Sequence, residues 1–255
     1  MIDISIKDKT AHVILNRPEK HNALDPDMIE QLQTQFQSLG VNPKVRQIVV
    51  SSKGKTFCAG ADLNWMKESI KMSKQQNLDS ALKLFDMFAT IYACPKPVIG
   101  RVHGSAFGGG VGMIACFDMA IMHQDAVLSL SELKLGLIPS TIAPFLSRKV
   151  GFRHLKYYGL TSERISAQKG HDIGLIHDVA QDTQTLDQKI NKLISGLETL
   201  SPQAIARYKK MCEDIRPLSI DEARMMTSEE IADIRTTDQA QEGLNAFFEK
   251  RLPRW

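Results

Sequence analysis

Apolar and polar residues alternate at the start of the chain. Ile2, Ile4 and Ile6 share one side of an extended segment, and His12, Val13, Ile14 and Leu15 continue the run beyond Lys7–Lys9. This period of two predicts antiparallel strands turning at Lys7–Lys9. Asn16-Arg17-Pro18 breaks the strand. After Asp25-Pro26 the period becomes helical, with Met28, Leu32, Phe36 and Leu39 on one face and Gly40 ending the helix. Gln47 to Ser51 (QIVVS) then reads as a buried strand.

Lys53 to Trp65 (KGKTFCAGADLNW) is a loop of small residues leading into a helix. Lys67 to Asn77 is polar and carries no strong turn chemistry, so it is expected to be mobile or loosely packed. Asp79 to Tyr92 is an amphipathic helix through Leu82, Phe85, Phe88 and Ile91, stopped by Cys94-Pro95-Lys96-Pro97. The stretch 97–121, PVIGRVHGSAFGGGVGMIACFDMAI, reads as strand, glycine turn and helix, with a strand from Met119 to Met122 and another from Ala126 to Leu130. Helices dominate from Ile142: Ile142 to Val150, Arg153 to Gly159, Ala167 to Gly174, Leu186 to Leu200, Pro202 to Asp214, Ser219 to Ile234 and Asp238 to Lys250. Alternating strands and helices predict right-handed crossovers and parallel pairing. The expected architecture is an α/β core over residues 1–195 with a helical appendage over 196–255.

Composition narrows the class. A chain of 255 residues can bury a sizeable core, and 43% hydrophobic with 24% charged residues is ordinary for a globular protein. A formal net charge of +3 argues neither for nor against nucleic acid. Cys58, Cys94, Cys116 and Cys212 are far apart and form no CxxC pair, so they read as small core residues in a reducing compartment, with metal binding a poor second. No apolar run is long enough to span a bilayer and no signal peptide is evident, which points to the cytoplasm.

Two loops, CAGAD at 58–62 and GGG at 108–110, each place small residues between a strand and a helix. Amides at such helix starts lack partners and can hold an anion. Two donors converging from separate loops would make an oxyanion hole, although for either loop alone tight turns and close packing account for the glycines as well. GxGxxG and a phosphate loop ending in Gly-Lys-Ser/Thr are absent. Glu132 stands among Leu130, Leu133, Leu135 and Leu137, where desolvation would raise its pKa and suit it to acid–base work; a capping or surface glutamate is the plainer alternative. Asp118 reads as structural and His103 as a loop histidine. Lys20, Lys55 and Lys250 read as solvated lysines.

Taken in order, NRPEKHNAL (16–24), FCAGADL (57–63), KPVIGRVHGSAFGGG (96–110), SELKLGLIP (131–139) and DQAQEGLNAFFEKRLPRW (238–255) resemble the crotonase, or enoyl-CoA hydratase/isomerase, superfamily over essentially the whole chain. AGADLNWM with GGGVG and SELKLGLIPSTIAP is most similar to bacterial methylglutaconyl-CoA hydratases and to carboxygeranoyl-type hydratases. The resemblance implies a ββα superhelix whose carboxy-terminal helices assemble trimers or hexamers. It implies that the Ala61 and Gly109 amides form the oxyanion hole for a thioester and that Glu132 handles the proton. Coenzyme A would lie along Ala23 and along Ala59, Asp62 and Leu63. Its phosphates would meet Lys20 and Lys55, with Lys250 reaching over from a neighbouring subunit.

One departure matters. Two-glutamate hydratases carry a second carboxylate in GGGxE, and here that position is Gly112. The glycine is expected to leave room for a larger or carboxylated acyl group, and Ser140, where typical hydratases have glycine, to hold water or substrate. The expected activity is hydration of an α,β-unsaturated acyl-CoA, with methylglutaconyl-CoA as the expected substrate and no metal or redox cofactor because coenzyme A belongs to the substrate. Isomerase, hydrolase and decarboxylase chemistry, or acyl-CoA binding without turnover, are the alternatives. Nucleic acid binding through Lys67, Lys71 and Lys74 ranks last, since aromatics are only 6% of the chain.

Overall fold

The computed structural model describes residues 1–255. β1 (Ile2–Lys7) and β2 (Thr10–Leu15) pair antiparallel from Ile2↔Leu15 to Lys7↔Thr10. Asp8 and Lys9 both take positive φ, 46° and 62°, the conformation a two-residue hairpin needs to follow the strand twist. Asp25 caps α1 (Pro26–Val41) by accepting from the Met28 amide at 2.9 Å, and Pro26 occupies the first turn. Gly40 does not end this helix; it lies inside the last turn against Pro95, and Asn42 is the cap.

Three strand–strand–helix units follow, and the chain deals their strands to two sheets. β3 (Gln47–Ser52), β5 (Val98–Val102) and β7 (Met119–His123) enter a six-stranded sheet of order β1-β2-β3-β5-β7-β10, parallel from β2 onward, with β10 at Asp178–Ala180. β4 (Thr56–Cys58), β6 (Ser105–Phe107) and β8 (Val127–Ser129) run parallel in a second sheet, closed by an antiparallel β9 (Ile165–Ser166). This is the expected ββα superhelix. β4, inside the segment expected to be a loop, and β6 and β9 escape the hydrophobic pattern because two or three residues are too few to show a period.

The larger sheet is covered on both faces. Val13, Ile48, Val50 and Val98 pack in the main core with α1, with α3 (Lys74–Tyr92) and with α4 (Gly109–Cys116), while Val49, Ile99 and Ile121 face α7 (Thr183–Glu198) through Leu186 and Ile190. Successive strand residues point to opposite faces, so doubly covered strands read as continuous apolar runs. Each such leucine or isoleucine contributes about 1.5–3 kcal/mol by leaving water.

Lys67–Asn77 is helical at both ends, in α2 (Leu63–Ser69) and in α3, where Ser73 and Gln76 form a capping box that starts the helix five residues before Asp79; none of its residues is buried, in keeping with the expected loose packing. The division expected at 195/196 falls inside α7, which belongs to the core through Leu186 and Ile190. After it come α8 (Pro202–Asp214), α9 (Ile220–Arg235) and α10 (Asp238–Phe248), whose only buried residue is Ala246. In between, α5 (Ala143–Thr161) bends at Gly151 into the two expected helices, and α6 spans Ala167–Asp172. No helix is long and apolar enough to cross a membrane. Cys58, Cys94 and Cys116 are buried free thiols; Asp118 accepts from the Val98 amide at 2.7 Å and His103 Nε2 lies 2.8 Å from the Gly54 carbonyl, both structural roles.

Candidate active site

Strand order builds the site. β4, β6 and β8 are parallel neighbours, so the loops leaving their carboxyl ends must emerge side by side. Those loops carry Gly60-Ala61, Gly108-Gly109 and Glu132. The middle one is tied to the third by the Gly108 amide, which donates to the Ser129 carbonyl at 3.0 Å. Carboxyl ends of parallel strands are where open α/β sheets place ligands.

The first two loops touch closely enough to require glycine. Gly60 has φ +87°, and a Cβ there would stand 2.9 Å from the Phe107 carbonyl oxygen and 3.6 Å from the Gly109 nitrogen. Leu24 and Ala61 form a parallel bridge in which Leu24 N donates to Gly60 O at 2.7 Å and Asp62 N to Leu24 O at 2.8 Å. Alternation along the strand turns the Ala61 N–H the other way, where it finds no acceptor in the chain. Gly109 opens α4, so no carbonyl precedes it by one helical turn. Two amides from separate loops thus sit next to each other, with Leu24 Cδ1 3.1 Å from where a Gly109 Cβ would be.

Glu132 closes the third side. It starts a short 3-10 turn, Glu132–Leu135, that ends at Gly136. A Cβ on Gly108, whose φ is +47°, would lie 2.8 Å from Glu132 Oε1, while Oε2 is buried without a hydrogen-bond partner. Burial pushes this carboxyl above its ordinary value of 4.5, and its own backbone amide offsets only part of that. A partly desolvated, under-bonded carboxylate with a raised pKa is suited to take and return a proton.

Gly112 does not leave room for an acyl group. A Cβ there would fall 2.1 Å from Ile142 Cγ2, 2.7 Å from Ile142 Cβ and 3.5 Å from Phe88 Cζ. Ile142 and Phe88 are both fully buried, so the face of α4 bearing Gly112 is packed rather than open. The glycine lets the start of α5 approach α4.

Behind the loops lies a polar clasp that the strand-breaking reading of Asn16-Arg17-Pro18 overlooked. Arg17 Nη1 pairs with Asp25 at 2.7 Å and donates to the Ala23 carbonyl at 3.2 Å, and Nη2 pairs with Asp62 at 3.0 Å. Buried Asn22 donates to the Lys53 and Thr56 carbonyls, each at 2.8 Å, and accepts from the Arg17 amide. Asp62 is 4% exposed and caps α2 through the Asn64 amide at 2.7 Å. Burial raises the Asp62 carboxyl, but the Asn64 and Trp65 amides with Arg17 outweigh that and hold it below 3.8. Its carboxylate is therefore spent on the protein, and it positions Ala61 rather than offering itself to a ligand. A run of charged and Asn residues within ten positions, NRPEKHNALD, was the available signal.

The clasp zips residues 16–25 to 53–63. Ala59 N donates to His21 O at 3.0 Å, and His21 Nδ1 meets Thr56 Oγ1 at 3.0 Å. Lys20 and Lys55 are consequently brought to one side of the site, both exposed, with Ala23 buried beneath and Leu63 exposed at the start of α2. Ser140 is exposed on the segment between the 3-10 turn and α5, its amide donating to Ile138 O at 2.8 Å. Lys250 stands apart, after α10, whose principal neighbour in the chain is α9.

A family model described as enoyl-CoA hydratase/isomerase matches residues 5–255. An enoyl-CoA hydratase of Alternaria alternata is 34% identical over 212 residues, 83% of this chain and 69% of its own length. A peroxisomal Δ(3,5)-Δ(2,4)-dienoyl-CoA isomerase of Arabidopsis thaliana is 30% identical, covering 96% of this chain and 91% of its own. The crystal structure of an enoyl-CoA hydratase from Shewanella pealeana superposes with a TM-score of 0.95 at 39% identity, over 100% of this chain and 95% of that one.

Proposed function

Because the chain belongs to the enoyl-CoA hydratase/isomerase family, we propose that it adds water to an α,β-unsaturated acyl-CoA thioester. The observation that carries this reading is the convergence of the unpaired Ala61 amide with Gly109 and the buried, under-bonded Glu132 at the ends of three adjacent strands. Donors fixed where oxyanion charge develops need no reorganisation during reaction, and each is worth about 2.7–4 kcal/mol. The thioester oxygen would rest on the Ala61 and Gly109 N–H groups. Water would add to the β-carbon as Glu132 takes its proton, and the resulting enolate would receive that proton back at the α-carbon.

Lys20 and Lys55 would meet the phosphates of coenzyme A, with Ala23, Ala59 and Leu63 along the carrier; the exposure of both lysines beside the 53–63 loop supports this. Methylglutaconyl-CoA as the substrate rests on the AGADLNWM and SELKLGLIPSTIAP motifs. Exposed Phe247 (77%) and Phe248 (76%) on α10 support self-association through the carboxy-terminal helices as a trimer or hexamer, which would carry Lys250 to a neighbour's site. A second reading is isomerisation: with Ile142 filling the volume beside Gly112, one carboxylate remains, and one suffices to move a proton between the α- and γ-carbons.

The pH profile tests the role of Glu132. A base must be deprotonated, so kcat/KM should climb as pH rises through a pKa above 4.5 and then level off. A climb already complete at the ordinary glutamate value would contradict it.

A further inference from the structure

At the opposite end of the larger sheet, far from the loops above, the residues that precede three neighbouring strands are cationic. Lys9 precedes β2, Lys44 and Arg46 precede β3, and Lys96 precedes β5 by two residues. Pairing of Thr10 with Gln47 and of Ile48 with Val98 brings Lys9, Arg46 and Lys96 level with one another, and the Arg46 amide donates to the Lys9 carbonyl at 2.8 Å. Neighbouring strands lie about 4.8 Å apart, so this is a dense row of positive charge.

The row lines a cavity of about 900 Å³ walled on the other side by the starts of α8 and α10 and by Trp255. Asp238 is the one acidic side chain in that lining. None of the four cations, nor Asp238, forms an ion pair in the chain. Arg46 is only 9% exposed, and its side chain donates to a single acceptor, the Leu200 carbonyl. The helix starts contribute little, because Gln239 Oε1 already accepts from the Gln203 amide at 3.1 Å and Thr237 caps α10. Four cations face this cavity against Asp238 in the lining and Glu198 near Arg46, and the excess of positive charge favours a multivalent anion.

We propose that this cavity is a second ligand site, distinct from the acyl-CoA site, that takes a polyphosphate. Phosphates would lie along Lys9, Lys44, Arg46 and Lys96. The Trp255 ring is held in the wall by its indole N–H, which donates to Thr199 O at 2.9 Å. A single concave pocket of this size suits a small molecule, whereas an extended strand of nucleic acid needs a continuous stripe.

Calorimetric titration of the full chain with inorganic tripolyphosphate and, separately, with ATP tests this. Three proteins are compared: the wild type, the variant Lys9→Gln/Lys44→Gln/Lys96→Gln, and Lys20→Gln/Lys55→Gln as a control for the acyl-CoA site. The triple variant keeps Arg46 and so keeps the buried contact to Leu200. Affinity should fall by about tenfold or more in the triple variant and persist in the control, with polyphosphate raising the Tm of the wild type and the control only. Equal affinity for the two probes would assign the site to phosphate alone, and tighter ATP would add a base against Trp255; both agree with the proposal. Binding unchanged in the triple variant, binding lost only in the control, or no binding of either probe by the wild type would overturn it. The outcome is independent of acyl-CoA turnover, which the triple variant should retain.

Discussion

Replacing Glu132 with Gln should lower the proposed hydration of an α,β-unsaturated acyl-CoA by about 10²–10⁴-fold, the usual contribution of a positioned acid–base group. Glutamine keeps the shape and the apolar stem, and the proposed oxyanion donors on Ala61 and Gly109 are untouched, so KM should change little by comparison. Stability separates chemistry from folding. Glu132 is raised by burial above 4.5, so in the wild type its contribution to stability is fully present below the unfolded pKa and is lost as pH rises through the folded one. Glutamine cannot ionise and escapes that loss. The Tm of Glu132→Gln relative to wild type should therefore improve as pH rises from 4 toward neutrality, while activity stays low. Near-normal hydration by this variant would remove Glu132 from the mechanism.

The second large effect concerns the missing carboxylate. Gly112→Glu, which restores the two-glutamate motif, should destabilise the protein and add no activity. Its Cβ would overlap Ile142 Cγ2 at 2.1 Å, and overpacking of this kind costs about 1–3 kcal/mol before any charge is buried beside Phe88. Ile142→Ala costs about 2–5 kcal/mol on its own by leaving a cavity. Combined, the two substitutions relieve each other, so thermal unfolding of the double variant should show a loss well below the sum of the single losses. Additive losses, or a Gly112→Glu protein as stable as the wild type, would mean that Ile142 does not fill this space.

How much of this was legible in the sequence depends on range. The β1–β2 hairpin, α1 and the two halves of α5 follow from local periodicity and, for α1, from Asp25-Pro26, which act on their own neighbours. The start of α3 was equally local, since Ser73 with Gln76 is a capping box, yet the polar run from Lys67 concealed it. Gly112 was different. Its neighbour Ile142 lies thirty positions along the chain, and no spacing reveals that α5 begins against α4. The adjacency of Ala61, Gly109 and Glu132 likewise depends on the order β4-β6-β8, which is fixed by non-local pairing and was reachable only through the resemblance of several motifs taken together. Arg17 and Asn22 were in plain view, but their role as a clasp needs the loop at 53–63 to be folded against them.

Water carrying heavy oxygen tests the central claim most directly. Wild-type protein is incubated with an α,β-unsaturated acyl-CoA panel that includes methylglutaconyl-CoA, and the products are read by mass spectrometry. The account predicts a product heavier by one water that carries the heavy oxygen, formed by the wild type and strongly reduced in Glu132→Gln. Turnover that leaves the acyl mass unchanged, or no turnover of any member of the panel, would contradict it.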